Sequence, residues 1–237
     1  MNTDQKEMRL YEKSIKLFSK PSLVFSELKE KPDWWFPLMV ITIITIISVL
    51  STTDLQIQAQ RDFINNSEII PEGQKTDMLD ELDKQGVVNS KIVPAIGGAV
   101  SVCLSSVIIA GGLIFFGNFI YGGQTAFKQI FSLVCWVGLI NLPELVIKVP
   151  LMVIKGTLQI PSSPAIFMIS GESKSLLYNV LDVFDVFAIW KIILFGTGFA
   201  IIYNFNMKKS YIAIIILYLT YSGISIGLGQ LFKGFMV

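Results

Sequence analysis

The 237-residue chain has no histidine, only two cysteines and few charges, with Asp, Glu, Lys and Arg making up 16% of it. Without imidazole there is no Ser-His-Asp arrangement, no His metal ligand and no imidazole switch near neutral pH. Cys103 and Cys135 both lie in apolar runs, and two cysteines cannot build a disulfide framework or a structural zinc site. Their distances from the turn at Gly122 differ by roughly 9 Å along a helix, beyond the ~7 Å a disulfide allows, so both are read as buried small apolar residues. A net charge of +1 lacks the basic excess of a nucleic-acid binder. No Gly-rich phosphate loop, Walker pattern, CxxC or carboxylate-rich metal motif occurs, and no cofactor or metal is expected. No apolar stretch stands close to the start ahead of a small-residue cleavage site, so the N-terminus is expected to be retained.

What is present is oil. The chain is 52% hydrophobic with 17 Phe, and its mean hydropathy is +0.61. Soluble domains carry about a quarter charged residues; this composition belongs in a bilayer. The expected fold is an all-α polytopic membrane protein: five transmembrane helices, an amphipathic N-terminal segment and a short helical extramembrane insert. Trp34–Thr53 is uncharged and long enough to span, with Trp34 and Trp35 at the level of an aromatic belt. Ile92–Phe127 is uncharged but too long for one span, and Gly122–Gly123 breaks it. The spans are placed at roughly 35–53, 93–121, 127–153, 183–205 and 210–232, with Pro143 and Pro150 kinking the third. Residues 155–181, with Gly156, Pro161, Pro164 and Gly171, read as a loop or re-entrant segment.

Residues 1–33 form a basic segment carrying Lys6, Arg9, Lys13, Lys16, Lys20, Lys29 and Lys31. Met8, Tyr11, Ile15 and Phe18 recur at helical spacing among the bases, the pattern of a helix lying on an anionic membrane surface. Pro21 starts a second short helix, with Leu23, Val24, Phe25 and Leu28 as its apolar side. Residues 34–237 then form the membrane domain, interrupted by a polar, acid-rich insert at 54–92, which includes Glu68. There Pro71–Glu72 starts a helix, Gly86 ends it, and Met78, Leu79 and Leu82 supply its contacts. Asn65-Asn66-Ser67 in the insert is a glycosylation sequon, relevant only in a eukaryotic host.

Five spans put the termini on opposite sides. The N-terminus, the Gly122 turn with Lys128, and the turn at Lys208 and Lys209 share one side. The positive-inside rule makes that side cytoplasmic and places the C-terminus outside.

Glu144, Lys148, Asp182, Asp185 and Lys191 form a candidate polar cluster in or near the third and fourth spans. Counted at about 1.5 Å per residue from the cytoplasmic ends, Glu144 and Lys191 lie roughly 24 and 22 Å deep, and Lys148 and Asp185 near roughly 30 Å. Antiparallel helices then pair Glu144 with Lys191 and Lys148 with Asp185, either as structural locks or as a polar pathway. Gly223-Ile224-Ser225-Ile226-Gly227 matches a nucleophile elbow, but it lies inside a span and has no histidine to serve it. Gly223 with Gly227, and Gly196 with Ala200, instead suit small-residue helix packing, within the chain or in a homo-oligomer. Gly97, Gly98 and Ser101 offer a further small face.

The run Gly122-Gly123-Gln124-Thr125-Ala126-Phe127-Lys128-Gln129 resembles the turn of the Yip (Ypt-interacting protein) domain family. So does Asp185-Val186-Phe187-Ala188-Ile189-Trp190, followed by Gly198 and Lys208-Lys209. Pro21, Phe25, Pro32-Asp33-Trp34 and Pro37 are similar to that family's approach to its first span. The resemblance covers nearly the whole chain and implies five membrane helices with a cytoplasmic N-terminus. Eukaryotic members act in vesicle traffic and bind prenylated Rab GTPases. The compact basic N-terminus here resembles the prokaryotic branch, which implies a prokaryotic plasma membrane and does not carry the Rab role over. The expected function is a non-enzymatic membrane adaptor or organiser touching lipid, or a protein partner at its N-terminus. Deleting residues 1–31 is expected to abolish partner binding and leave insertion intact. The alternative is a small permease or ion-coupled transporter using Glu144, Asp185 and Lys191.

Overall fold

A computed structural model describes residues 8–67, 69–167 and 176–235, with side chains in the last helix described as far as 227. Lys6, Glu68 and Gly171 fall outside these residues. The described residues form helices joined by turns, and no strand occurs among them. In chain order the α-helices are α1 Leu10–Ser19, α2 Pro21–Glu30, α3 Trp35–Asn66, α4 Glu72–Lys84, α5 Val93–Ile114, α6 Phe127–Gly138, α7 Asn141–Lys155, α8 Leu176–Asp182, α9 Val186–Tyr203 and α10 Met207–Phe235.

Five helical stretches are long and apolar enough to cross a membrane: Trp35–Asn66, Val88–Ile120, Phe127–Lys155, Val186–Tyr203 and Met207–Gly227. Each overlaps one of the five stretches expected at roughly 35–53, 93–121, 127–153, 183–205 and 210–232. Three details depart from expectation. Helix α3 continues through the polar residues 54–66, so the first part of the insert extends the first span. Wider π-type turns, Val88–Ile92 and Phe115–Ile120, flank α5. The third stretch is broken rather than kinked. Leu139 and Ile140 make short-range bonds back to Trp136 and Val137, and α7 restarts at Asn141. Pro143 explains the position of the break, because it has no N–H to offer the carbonyl of Leu139. As expected, Pro21 opens α2, and Pro71 precedes α4.

The chain divides into two compact units. The first gathers Met1–Ile41, Cys103–Ile140 and Phe187–Thr220. Its centre is the fully buried Trp136, Ile130, Leu133, Phe199 and Leu194, joined by Leu17, Val24, Phe25 and Leu28 from α1 and α2. Small residues make the packing possible. A Cβ at Gly198 would strike Leu133, one at Gly138 would strike Ile41, and one at Gly196 would strike Tyr211. Ala200 is buried beside them in sequence.

The Gly122 and Lys208 turns belong to this unit with the N-terminal helices. Gly122 takes φ +67° and Asn204 φ +56°, left-handed conformations that Gly and Asn tolerate. The Lys29 ammonium donates to Ile201 O at 3.1 Å and Asn204 Oδ1 at 2.5 Å. Gln129 Nε2 donates to Lys29 O at 2.5 Å. Lys209 lies over the rings of Tyr121 and Phe205, at 4.3 and 4.5 Å from their centroids.

The Tyr203 ring is wedged between Gly117 and Gly123 and stacked on Phe205, with centroids 5.0 Å apart. Its hydroxyl is buried and has no hydrogen-bond partner among the described residues. A buried, unsatisfied hydroxyl costs free energy. Tyr203→Phe is therefore expected to stabilise the protein by about 1 kcal/mol, read as a higher Tm in detergent. A lower Tm would mean that the hydroxyl is paired.

The second unit gathers Thr42–Val102, Asn141–Val186 and Tyr221–Val237. Here Gly98 sits against Thr45 and Val49, while a Cβ at Gly97 would meet nothing. In the insert Leu82 is buried, Leu79 half-buried and Met78 exposed. Arg61 pairs with Asp83, which ties α4 to the extension of α3. Gly223 and Gly227 face open space, since a Cβ at either would touch nothing. They support no close approach to the described side chains of this chain, unlike Gly196. Cys135 is buried and Cys103 exposed, and both are free. The expectation that Cys103 is buried is corrected: on a spanning helix, lipid-facing and protein-facing positions are equally apolar, so hydropathy cannot tell them apart.

Candidate functional site

In the first unit the site is built on α1 and α2. Helix α1 keeps Tyr11, Ile15 and Phe18 on its outer side, 56%, 65% and 39% exposed. Arg9 and Lys20 are also exposed, and Lys16 is half-buried. Met8, the fourth residue of the expected apolar face, is half-buried. Phe18 meets the family-motif residue Trp190 of α9 edge to face, with ring centroids 5.4 Å apart.

Lys13 does not share that face. It is only 3% exposed. Its Nζ lies 2.9 Å from Glu27 and 2.5 Å from Asp33 and over the Trp136 ring at 5.7 Å. The Trp136 indole N–H donates to Asp33 O at 2.9 Å and to Asp33 Oδ1 at 2.6 Å. One lysine therefore joins α1, α2, the approach to α3 and the core of α6. Burial alone would lower the Lys13 pKa, but its bonds to Asp33 and Glu27 outweigh this and hold it above the usual 10.5. Lys29 is likewise turned to protein. Two of the bases of the N-terminal segment, Lys13 and Lys29, are thus bonded to protein. Their partners stand 20 and 175 residues away, and periodicity along one helix carries no sign of them. The signal available was Asp33 directly before Trp34, an acid at a membrane boundary that needs a partner.

A cleft of about 480 Å³ lies beside this clamp, lined by Arg9, Lys13, Glu27, Lys31, Asp33 and Lys128 among others.

In the second unit Lys148 of α7 holds two carboxylates, Glu144 at 2.9 Å and Asp185 at 3.0 Å. The antiparallel depth count places Lys148 with Asp185, and so does the structure. Glu144 meets Lys148 one turn away on its own helix; Lys191 lies on α9 in the first unit. Ser162 also donates to Asp185, Val186 N–H donates to Ser162 O at 3.2 Å, and Ser163 donates to Asp182 at 2.9 Å. Ser162 and Ser163 are thereby tied to the residues from Asp182, the end of α8, to Val186, the first residue of α9. The serines were absent from the sequence-level cluster because hydroxyls in a loop carry no periodic or charge signal. A crevice of about 420 Å³ is lined by Asn179, Asp182, Tyr221, Ser222 and Ser225 among others. Among the described residues no group of His, Cys, Asp and Glu could hold a metal.

The family-motif residues have evident work. Gly122 makes the left-handed turn. Gly123 admits the Tyr203 and Phe205 rings. Phe127 stacks on Phe131 at 5.6 Å. Asp185 accepts from Lys148, Phe187 is buried, and Trp190 receives Phe18.

A sequence model described as the Yip1 domain matches residues 15–228. The chain is 24% identical, over 85% of its length, to the "Membrane protein YknW" of Bacillus subtilis (strain 168), covering 83% of that protein. No solved structure matches the chain.

Proposed function

From its membership of the Yip1 domain family, we propose that this integral membrane protein is a non-enzymatic adaptor or organiser of a bacterial plasma membrane. Its N-terminus faces the cytoplasm, where α1 and α2 meet lipid or a protein partner. The observation that carries this reading is the Lys13 clamp. It makes the basic, apolar helix pair a rigid platform on the membrane domain, with Tyr11, Ile15 and Phe18 turned outward. A pre-organised face loses less entropy on binding than a tail does.

Removing residues 1–31 is a poor test, because it strips Leu17, Val24, Phe25 and Leu28, all fully buried, from the first unit. Ile15→Asp is better: the side chain is exposed, so the fold should survive. Crosslinking pull-down from native membranes is expected to recover a specific protein with the wild-type chain and lose it with Ile15→Asp, at unchanged Tm. Equal recovery with both would sink the platform reading.

The permease reading is supported by Glu144, Asp185 and Lys191 at membrane depth and by the crevice beside Asp182. Weighing against it, Lys148 binds both carboxylates on its own side of the site, an arrangement suited to locking helices.

A further inference from the structure

We propose that the cleft between α1, α2 and the start of α6 binds the phosphate group of an anionic phospholipid. The inference rests on the cytoplasmic placement of α1 and α2 proposed above, and it names a ligand for that surface. The charges lining the cleft are Arg9, Lys13, Glu27, Lys31, Asp33 and Lys128. Both carboxylates are bonded to the Lys13 ammonium, at 2.9 and 2.5 Å. Lys13 and one of the carboxylates cancel, leaving one acid against the two cations Arg9 and Lys128, so the cleft stays cationic. Among the described residues neither Arg9 nor Lys128 has a carboxylate within ion-pair distance. A cationic cleft attracts a phosphate, and a guanidinium can grip it with two parallel hydrogen bonds.

Position selects a lipid over a soluble phosphate. Lys128 is the second residue of the stretch Phe127–Lys155, long and apolar enough to span, so the cleft lies where that helix leaves the hydrocarbon. The chain neighbours of the lining residues Lys128 and Asp33 are aromatic: Phe127 stacks on Phe131 with centroids 5.6 Å apart, and Trp34 meets Phe131 edge on at 5.5 Å. Phe127 and Trp34 are 46% and 38% exposed. An apolar ledge next to a cationic cleft fits the glycerol and upper acyl chains below a headgroup; a free phosphate would make no use of it. Basic clefts at this level are ordinary anionic-headgroup sites.

The test uses the full chain in nanodiscs of mixed phosphatidylglycerol and phosphatidylcholine, moved into detergent for native mass spectrometry. Wild-type protein is expected to retain phosphatidylglycerol in preference to phosphatidylcholine. Arg9→Gln and Lys128→Gln should each weaken that preference roughly fivefold, the effect of about 1 kcal/mol per basic residue near a membrane surface. Arg9→Lys and Lys128→Arg should keep it, and Tm should be the same in all four variants. Added inorganic phosphate should leave the retained lipid in place; displacement of the lipid, or phosphate binding in pure phosphatidylcholine discs, would mean a soluble ligand and overturn the lipid assignment. Retention that is unchanged in the Gln variants would also overturn the site. If the site fails in this way while Ile15→Asp still loses its partner, the platform reading stands without it. If lipid is retained as described but α1 is labelled only from outside intact cells, the cytoplasmic platform fails instead.

Discussion

Replacing Lys148 with methionine is expected to be among the most damaging single changes in the protein, costing about 3–5 kcal/mol. Methionine keeps most of the volume, so the loss is electrical. The ammonium holds Glu144 and Asp185 at 2.9 and 3.0 Å, and the three side chains are 15–20% exposed. Without it, two carboxylates within a span or beside one lose this cation, and removing one member of such a pair is expensive. Adding Glu144→Gln and Asp185→Asn to Lys148→Met should restore most of the stability, because neutral amides need no counter-ion. Unfolding in detergent of the single and triple variants checks this. If the triple variant is no more stable than Lys148→Met, the three residues do not form an ion-pair lock. Flux in liposomes separates the functional readings: a permease would lose transport in the triple variant although its fold is recovered, and an adaptor would show no transport in any variant.

The second large effect is expected at Lys13. Lys13→Met leaves Glu27 and Asp33 facing each other beside Trp136, and the partial exposure of both acids places the loss at the low end, about 3 kcal/mol. It should appear as faster proteolysis of α1 and α2 and a lower Tm, and Glu27→Gln with Asp33→Asn should recover part of it. The pH dependence has a definite sign. Folding raises the Lys13 pKa above 10.5. The clamp's contribution is therefore full below 10.5 and is lost only as pH rises through the higher folded value. Wild-type protein should keep α1 and α2 docked across the neutral range and release them in strong alkali, while Lys13→Met should show no such alkaline step. An equal alkaline transition in both proteins would assign the step to another group.

Much of the architecture is written along the chain. Hydrocarbon solvent demands long uncharged helices, so Trp34–Thr53, Ile92–Phe127 and Ser210–Phe232 announce spans by composition alone. Pro21, Pro71 and Gly122 punctuate the helices locally, through the ring that fixes φ and through the missing Cβ. The Lys148–Asp185 pair was legible too, because depth from a helix end is a count of residues.

Other features could not be counted. Lys13 looks like its neighbours Lys16 and Lys20, and it is Glu27, Asp33 and Trp136, brought together by folding, that turn it inward. Gly196 and Gly223 look alike as well. One is pressed against Tyr211 and the other faces open space, because a glycine's use depends on what approaches it.

The sequence by itself therefore determined the solvent, the five spans and which turns share a side, since each follows from local chemistry and helix length. Only the tertiary structure decided which charges are clamped to protein, which small residues admit a neighbour and where cations gather around a cleft. Those are relations between residues far apart in the chain, and no local pattern encodes them.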